Sequence, residues 1–277
     1  MSEPAQLIDL CHLGRPRVVG AWRVGDVLVD PGPASCLEKL EATLEGWRPR
    51  ALALTHIHLD HAGATGSLVA RWPEVEVWVH AVGAPHLVDP TRLLASATRL
   101  YGEDMDRLWG EVLAVPEERI RRLRGGERLG RFEVAYSPGH ASHHVTYLDT
   151  ETRVAYVGDV AGVRIAPAQF VLAPTPPPDI DLPVWLQSLD ELEHWGPREL
   201  ATTHFGLVSD VSEHLQALRA RMQEWAELAR ECSQERFVAS VRQRIAQATD
   251  PQTAACYEHA APQDQLWLGL RRYWERR

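Results

Sequence analysis

The chain has 277 residues, of which 45% are hydrophobic and 24% charged, with a formal net charge of −9. A chain of this size buries about three quarters of its unfolded surface, enough for one large domain or one domain with an appendage. The acidic balance disfavours the broad Lys/Arg surface that nucleic-acid binding needs, and no apolar run is long enough to span a bilayer. The first residues, Met1-Ser2-Glu3-Pro4-Ala5, lack the basic and apolar regions of a signal peptide, so the expectation is a cytoplasmic protein without membrane or nucleic-acid partners. Cys11, Cys36, Cys232 and Cys256 show no paired spacing and read as packing residues rather than a disulfide framework or thiolate site.

Strand-like alternation opens the chain at Leu7–Leu10, Val18–Trp22 and Val27–Asp30. Pro31-Gly32-Pro33 breaks it, and a helix is predicted from Ala34 or Ser35 to about Trp47. A short apolar strand, Ala51–Leu54, runs into the polar loop 55–61, followed by a helix near Ala64–Arg71 and a strand at Val75–Val79. Between residues 80 and 118, Leu93, Leu94, Leu100, Met105, Leu108 and Trp109 have the spacing of one or two amphipathic helices and read as core in preference to a substrate wall. Arg119, Arg121, Arg122 and Arg124 read as a solvated edge strand before the Gly125-Gly126 turn. Lys39 is the only lysine, so arginine carries nearly all the positive charge. Strands resume over 128–157, and the proline-rich run 173–178 is expected as an extended loop because proline has no amide donor. A helix is predicted over Val184–Trp195. From residue 208 the pattern is helical to the end, as at Leu215, Leu218, Met222, Trp225 and Leu228. Strands interleaved with helices predict mixed α/β sheets covered by helices in residues 1–207, with a helical extension in 208–277.

The loop Thr55-His56-Ile57-His58-Leu59-Asp60-His61 concentrates three imidazoles and a carboxylate directly after a strand. Divalent metals of borderline softness take such nitrogen and oxygen donors, and one turn with four of them can serve two ions. The remaining donors should also lie where strands end, since the strand fixes the backbone and the loop frees the side chain. Three do: His140 in Ser137-Pro138-Gly139-His140, Asp159 after Val154–Val157, and His204 after Glu199–Ala201.

In these residues the chain resembles the metallo-β-lactamase superfamily, whose donor series His-x-His-x-Asp-His, His, Asp, His is matched in order. The resemblance implies a four-layer αβ/βα sandwich. It also implies two divalent metal ions, zinc by default with iron or manganese compatible, one held by His56, His58 and His140 and the other by Asp60, His61 and His204. Asp159 bridges the two in this scheme, and Asp60 and Asp159 are the carboxylates assigned to catalysis. Asp30 matches a position near the metal centre and is expected to accept a hydrogen bond from a ligand imidazole; Thr55 is expected to fasten the loop backbone and His144 to act as a buried hydrogen-bonding residue. The helical extension makes the chain similar to the hydroxyacylglutathione hydrolase (glyoxalase II) group. The residues that contact glutathione in that group have no convincing match, so a glutathione thioester is not implied.

Metal coordination lowers the pKa of water from 15.7 to about 7, and residual positive charge polarises a carbonyl and stabilises the oxyanion that forms. The expected reaction is hydrolysis of a thioester or similarly activated small acyl compound. The Asp159 position argues against β-lactam hydrolysis, because true metallo-β-lactamases lack that carboxylate. Lactonase, phosphodiesterase and mononuclear-iron persulfide dioxygenase activities share the donor series and stay open, as does a metal-containing ligand sensor. Candidate general acids are His143, Tyr101 and Tyr136, and Arg164 reads as one half of a surface ion pair. His12, His80, His86, His194, His214 and His259 match no motif and read as surface or ordinary core. Dimerisation through the helical end is left open.

Overall fold

The structure, a computed structural model, describes residues 5–277. Two six-stranded mixed sheets lie face to face. The first runs in chain order: β1 (Gln6–Asp9), β2 (Gly20–Val24), β3 (Val27–Val29), β4 (Ala51–Ala53), β5 (Glu76–His80) and β6 (Ile120–Leu123). The second contains β7 (Arg128–Leu129), β8 (Phe132–Tyr136), β9 (Val145–Asp149), β10 (Val154–Tyr156), β11 (Glu199–Thr202) and β12 (Gly206–Val208), in the spatial order β12-β11-β10-β9-β8-β7.

Strand periodicity splits the apolar residues between two cores. Trp22, Val29, Ala53 and Trp78 of the first sheet meet Phe132, Val134, Tyr147 and Tyr156 of the second in one buried cluster. Their neighbours Leu28, Leu52, Val77, Leu148 and Leu200 belong to the other cluster, with residues of the covering helices. Those helices are α1 (Leu37–Leu44), α2 (Leu59–Ala62), α3 (Thr65–Arg71), α4 (Ala84–Val88), α5 (Thr91–Tyr101), α6 (Met105–Trp109) and α7 (Leu182–Trp195), then α8 (Val211–Glu231), α9 (Gln234–Ala248), α10 (Pro251–Ala260) and α11 (Gln263–Glu275). Alternate burial on both faces of both sheets makes this the expected sandwich, helix–sheet–sheet–helix.

Parallel pairing sets the position of the polar loops. β3 and β4 run parallel, as do β10 and β11, so each pair delivers two strand ends to the same rim. β6 is an edge strand, with Arg119, Arg121 and Arg122 near Glu74, Glu76 and Glu117. Among the described residues, no helix is long and apolar enough to cross a membrane.

The segment 80–118 departs from the core reading. Trp109 is buried, but α5 contains no buried residue. Amphipathic spacing identifies an apolar face without saying what covers it, and here Leu93, Leu100 and Leu108 line a cavity.

The last four helices pack into the sandwich. Trp225, Phe237 and Tyr257 are fully buried, and the Tyr257 hydroxyl donates to Phe170 O (2.6 Å) while accepting from Ile165 N (2.9 Å). α11 lies on the proline-rich run closely enough that a Cβ at Gly269 would stand 1.9 Å from Thr175 O. Alanine is favoured over glycine inside a helix by about 1 kcal/mol, whereas forcing two backbones apart costs about 1–3 kcal/mol. The obstacle here is backbone, so strain outweighs propensity. Gly269→Ala should lower the melting temperature by several degrees, at about 2–4 °C per kcal/mol for a chain of this order; an unchanged or raised melting temperature would show that α11 is free to shift.

Candidate metal centre

The loop after β4 begins with Thr55, whose backbone amide donates to Asp30 Oδ1 (2.8 Å) and whose hydroxyl donates to Asp30 Oδ2 (2.7 Å). Asp30 directly follows β3, so the parallel pairing of β3 with β4 sets carboxylate and threonine side by side. Asp30 Oδ2 also accepts from Thr203 Oγ1 (3.0 Å) and from His61 Nδ1 (2.8 Å). Across the rim, Gly158 has φ +46°, and a Cβ there would lie 2.3 Å from Thr55 Oγ1. Only glycine allows the end of β10 to come this close, and the next residue is Asp159.

Donor atoms of seven side chains converge at this rim in three overlapping groups: His56, His58 and His140; His56, His61 and Asp159; and Asp60, His61 and His204. Within each group the atoms lie within 4.8 Å of one another. Asp159 reaches toward both ends of the cluster, with Oδ2 3.5 Å from His140 Nε2 and Oδ1 3.2 Å and 3.5 Å from Nε2 of His61 and His204.

Hydrogen bonds on the far side of each ring fix where the protons sit. His140 Nδ1 donates to Pro174 O (2.9 Å), His204 Nδ1 to Val18 O (2.6 Å) and His61 Nδ1 to Asp30. The Thr55 hydroxyl, having given its proton to Asp30, accepts from His56 Nδ1 (3.1 Å). In the neutral rings, Nε2 of His56, His61, His140 and His204 is therefore a bare lone pair.

That arrangement is costly without a cation. His58 Nδ1 lies 3.0 Å from His56 Nε2 and 3.1 Å from His140 Nε2, so at most one N–H serves three nitrogens. His61 Nε2, His204 Nε2 and Asp159 Oδ1 are buried with no hydrogen-bond partner. Lone pairs converging on carboxylate oxygens in a buried site fit divalent metal ions bound through nitrogen and oxygen donors.

The cluster has two electrostatic halves. Burial, and then mutual repulsion with His140, pushes His58 down to about 3, while burial lowers His56 and His140. Burial would also depress His61, but Asp159, Asp60 and Asp30 hold it well above its ordinary value; His204 is likewise raised against burial by Asp159 and Asp60. In turn His61 and His204 keep Asp60 and Asp159 below the usual carboxylate range although burial opposes this. Burial dominates at His56, His58 and His140 and disfavours a proton there, while the carboxylates together outweigh it at His61 and His204 and favour positive charge.

His144 stacks on His56, with ring centroids 4.9 Å apart, and belongs to none of the donor groups. Its Nδ1 bonds Ser137 Oγ (2.9 Å) and its Nε2 accepts from Val160 N (3.4 Å), tying down the backbone just beyond Asp159.

A cavity of about 800 Å³ opens over the centre, lined by His58, Asp60, Asp159 and His204 at its floor. Of the candidate general acids, His143 and Tyr101 line it, while Tyr136 does not. Tyr136 donates to Ser142 O (2.8 Å) and stacks on His80, because the alternation of β8 turns it outward. Arg164 pairs with Asp210 (2.8 Å) and lies outside the cavity wall.

Three histidines read as surface or core instead line the cavity: His12, His86 and His259. His12 Nε2 donates to Leu108 O (2.7 Å), which leaves its Nδ1 to accept from His259 Nε2 (3.1 Å). His12 also stacks on Trp109, at 5.5 Å between centroids. His12 and His259 are 247 positions apart, and no local spacing signals their meeting.

Comparison with known proteins agrees with this geometry. The family model of the metallo-beta-lactamase superfamily matches residues 24–204. A metallo-beta-lactamase fold-containing protein of Sulfurisphaera tokodaii is 29% identical over 179 residues, covering 61% of this chain and 66% of the relative. A hydroxyacylglutathione hydrolase of Xylella fastidiosa is 34% identical over 134 residues, covering 48% of this chain and 40% of that enzyme. The matched region thus spans less than two thirds of either relative. Among solved structures, a metallo-beta-lactamase family protein from Thermus thermophilus superposes over 98% of this chain and 93% of its own, with a TM-score of 0.66 and 22% identity, a likeness of fold.

Asp30 is a direct test of how the donors are held. Asp30→Ala removes the acceptor that orients His61, and loss of such a supporting partner weakens metal affinity about 10–100-fold. Competition against a chromophoric chelator should show this weakening, with Asp26→Asn at an exposed ion pair as the control. Equal affinities in the two variants would mean that His61 is not positioned by Asp30.

Proposed function

We propose that this chain, which belongs to the metallo-β-lactamase superfamily, is a dinuclear metal-dependent hydrolase of thioesters or similarly activated acyl compounds. The observation that carries the reading is Asp159. One of its oxygens faces His140 and the other faces His61 and His204, so a single carboxylate spans two donor sets. In this reading His56, His58 and His140 hold one ion, Asp60, His61 and His204 hold the other, and Asp159 is shared. The ions are zinc in preference to iron or manganese, on the imidazole-rich donor set.

Divalent metal held there would supply water of near-neutral pKa and a Lewis acid for the acyl carbonyl. The protein supplies the rest. Asp30, Thr55, Pro174 O and Val18 O hold protons on the outer nitrogens of His61, His56, His140 and His204, so the inner nitrogens remain donors throughout turnover. Burial of the floor keeps bulk water from screening the charge there. In hydrolysis, a water O–H bond breaks and its oxygen joins the acyl carbon, the C–S bond breaks with its electron pair departing on sulfur, and the two protons of the water pass to solvent as carboxylate and thiolate are released. A thiolate with a pKa near 8.5 leaves without prior protonation. This suits a cavity in which the hydroxyl of Tyr101 is already committed to Gln265.

The similarity to hydroxyacylglutathione hydrolases supports a thioester over a lactone or phosphodiester. The protein purified without chelators should carry two metal equivalents per chain and hydrolyse simple acyl thioesters. Asp60→Asn and His58→Ala should each lower kcat/KM on the order of a thousandfold, the several kcal/mol that a metal contributes to such a transition state. A metal-loaded chain inert to thioesters but active on a lactone, phosphodiester or persulfide panel would replace the reading with that activity.

A further inference from the structure

The cavity over the metal centre has two side walls, and they come from remote parts of the chain. One is α5, whose Leu93, Ala97 and Leu100 line it at helical spacing i, i+4, i+7. The other is the corner between α10 and α11, with Ala260, Ala261 and Leu266. An 11-residue helix is marginal in water and depends on cover for its apolar stripe. None of the residues of α5 is buried, so that stripe is covered only in part by protein.

Part of the polar capacity on these walls is spent internally. The Tyr101 hydroxyl on α5 donates to Gln265 Oε1 on α11 (3.2 Å), and His12 and His259 bond to one another and to Leu108 O. Arg92, Arg99 and Arg272 also line the cavity, with Asp104, Asp179 and Asp264; Asp104 is paired with Arg107 (2.9 Å) and Asp179 accepts from Ser142 Oγ (2.9 Å). The volume, about 800 Å³, lies within the usual range of about 300–1,000 Å³ for ligand pockets.

From these observations we infer that the cavity selects an unbranched apolar acyl chain, seated between α5 and the α10–α11 corner with its carbonyl at the metal floor. The inference rests on the acyl-hydrolase reading and adds the class of acyl group. Leu93 and Leu100 cover the chain from one side and Ala260 and Pro262, both half-buried, from the other. The alanines on both walls, Ala97, Ala260 and Ala261, leave the width it occupies.

The test uses the metal-loaded full chain and straight-chain thioesters from acetyl to dodecanoyl on one fixed carrier, N-acetylcysteamine. Each buried methylene is worth up to about fourfold, so kcat/KM should climb with chain length until the slot is filled. Ala97→Trp should move the optimum to shorter chains, and Leu100→Ser should flatten the climb. Ala95→Trp, on the same helix but outside the cavity wall, should leave the profile in place. Calorimetric binding of the straight-chain carboxylates, from acetate upward, gives a second readout that does not depend on turnover. Its affinity should rise with length in the parent chain and lose that rise in Ala97→Trp. Thioester turnover that is flat in chain length would overturn this inference and leave the hydrolase reading standing. Absence of all thioester turnover would overturn the hydrolase reading, and the carboxylate series then decides the slot: affinity independent of chain length removes it, and a rise abolished by Ala97→Trp keeps it.

Discussion

A fully buried carboxylate, Asp30, is the constraint on which the metal centre depends. It accepts from the Thr55 amide, the Thr55 hydroxyl, the Thr203 hydroxyl and His61 Nδ1, and so gathers the end of β3, the loop after β4 and the loop after β11 at one point. Hydrogen bonds to a charged group contribute about 1.5–3 kcal/mol each. Asp30 itself sits at φ +48°, in the left-handed region, which costs a non-glycine residue about 1–2 kcal/mol. Four charged hydrogen bonds outweigh that cost, and the unusual backbone is what turns the carboxylate inward. Through these bonds the loops that follow β4 and β11, on different sheets, are held against one another.

Burying so many polar side chains at a rim is tolerable because nearly every one is committed on its far side. Carbonyls of Val18 and Pro174, the Thr55 hydroxyl and Asp30 take the outer protons, and the inner atoms are left unpaired against one another. The energetic debt is concentrated in the space that a cation fills, which ties metal affinity to folding in this region. It also explains the opposite behaviour of chemically identical rings. Burial depresses His58 and His140, in His140 against the pull of Asp159, whereas at His61 and His204 the carboxylates of Asp159 and Asp60 outweigh burial.

Mixed sheets covered by helices and the placing of the seven candidate donors at strand ends were legible in the sequence because both rest on short-range signals, whereas the four-layer sandwich was implied by the resemblance to the metallo-β-lactamase superfamily. Strand alternation and strand-end spacing are properties of a few consecutive residues, and parallel pairing of β3 with β4 and of β10 with β11 then brings those ends together. The cavity wall from residues 80–118 was legible only as the less favoured alternative to core. The stripe Leu93, Ala97, Leu100 has the same periodicity whether it faces a core or a ligand, and only the surroundings decide. The pairing of His12 with His259 depends on how the last helices fold back, which no window of sequence contains. Tyr136 misled for the converse reason: it lies one residue from the Ser137-Pro138-Gly139-His140 loop, yet strand alternation points it away from the cavity.

The proline-rich run links these two levels. Because proline has no amide hydrogen, a run of prolines stays out of sheet ladders and keeps its carbonyls available. Pro174 O uses that freedom to hold His140 Nδ1, while Pro176, Pro177 and Pro178 form part of the cavity wall. α11 clamps the run from outside, through Thr175 Oγ1 donating to Leu266 O (3.1 Å), Arg276 Nη1 donating to Pro178 O (3.0 Å) and the close approach at Gly269. Leu266 therefore both lines the cavity and anchors the segment that orients a donor of the metal centre. The helices of the C-terminal part thus touch the segment that orients His140 as well as the cavity above the candidate metal centre, through the adjoining backbone of Pro174 and Thr175.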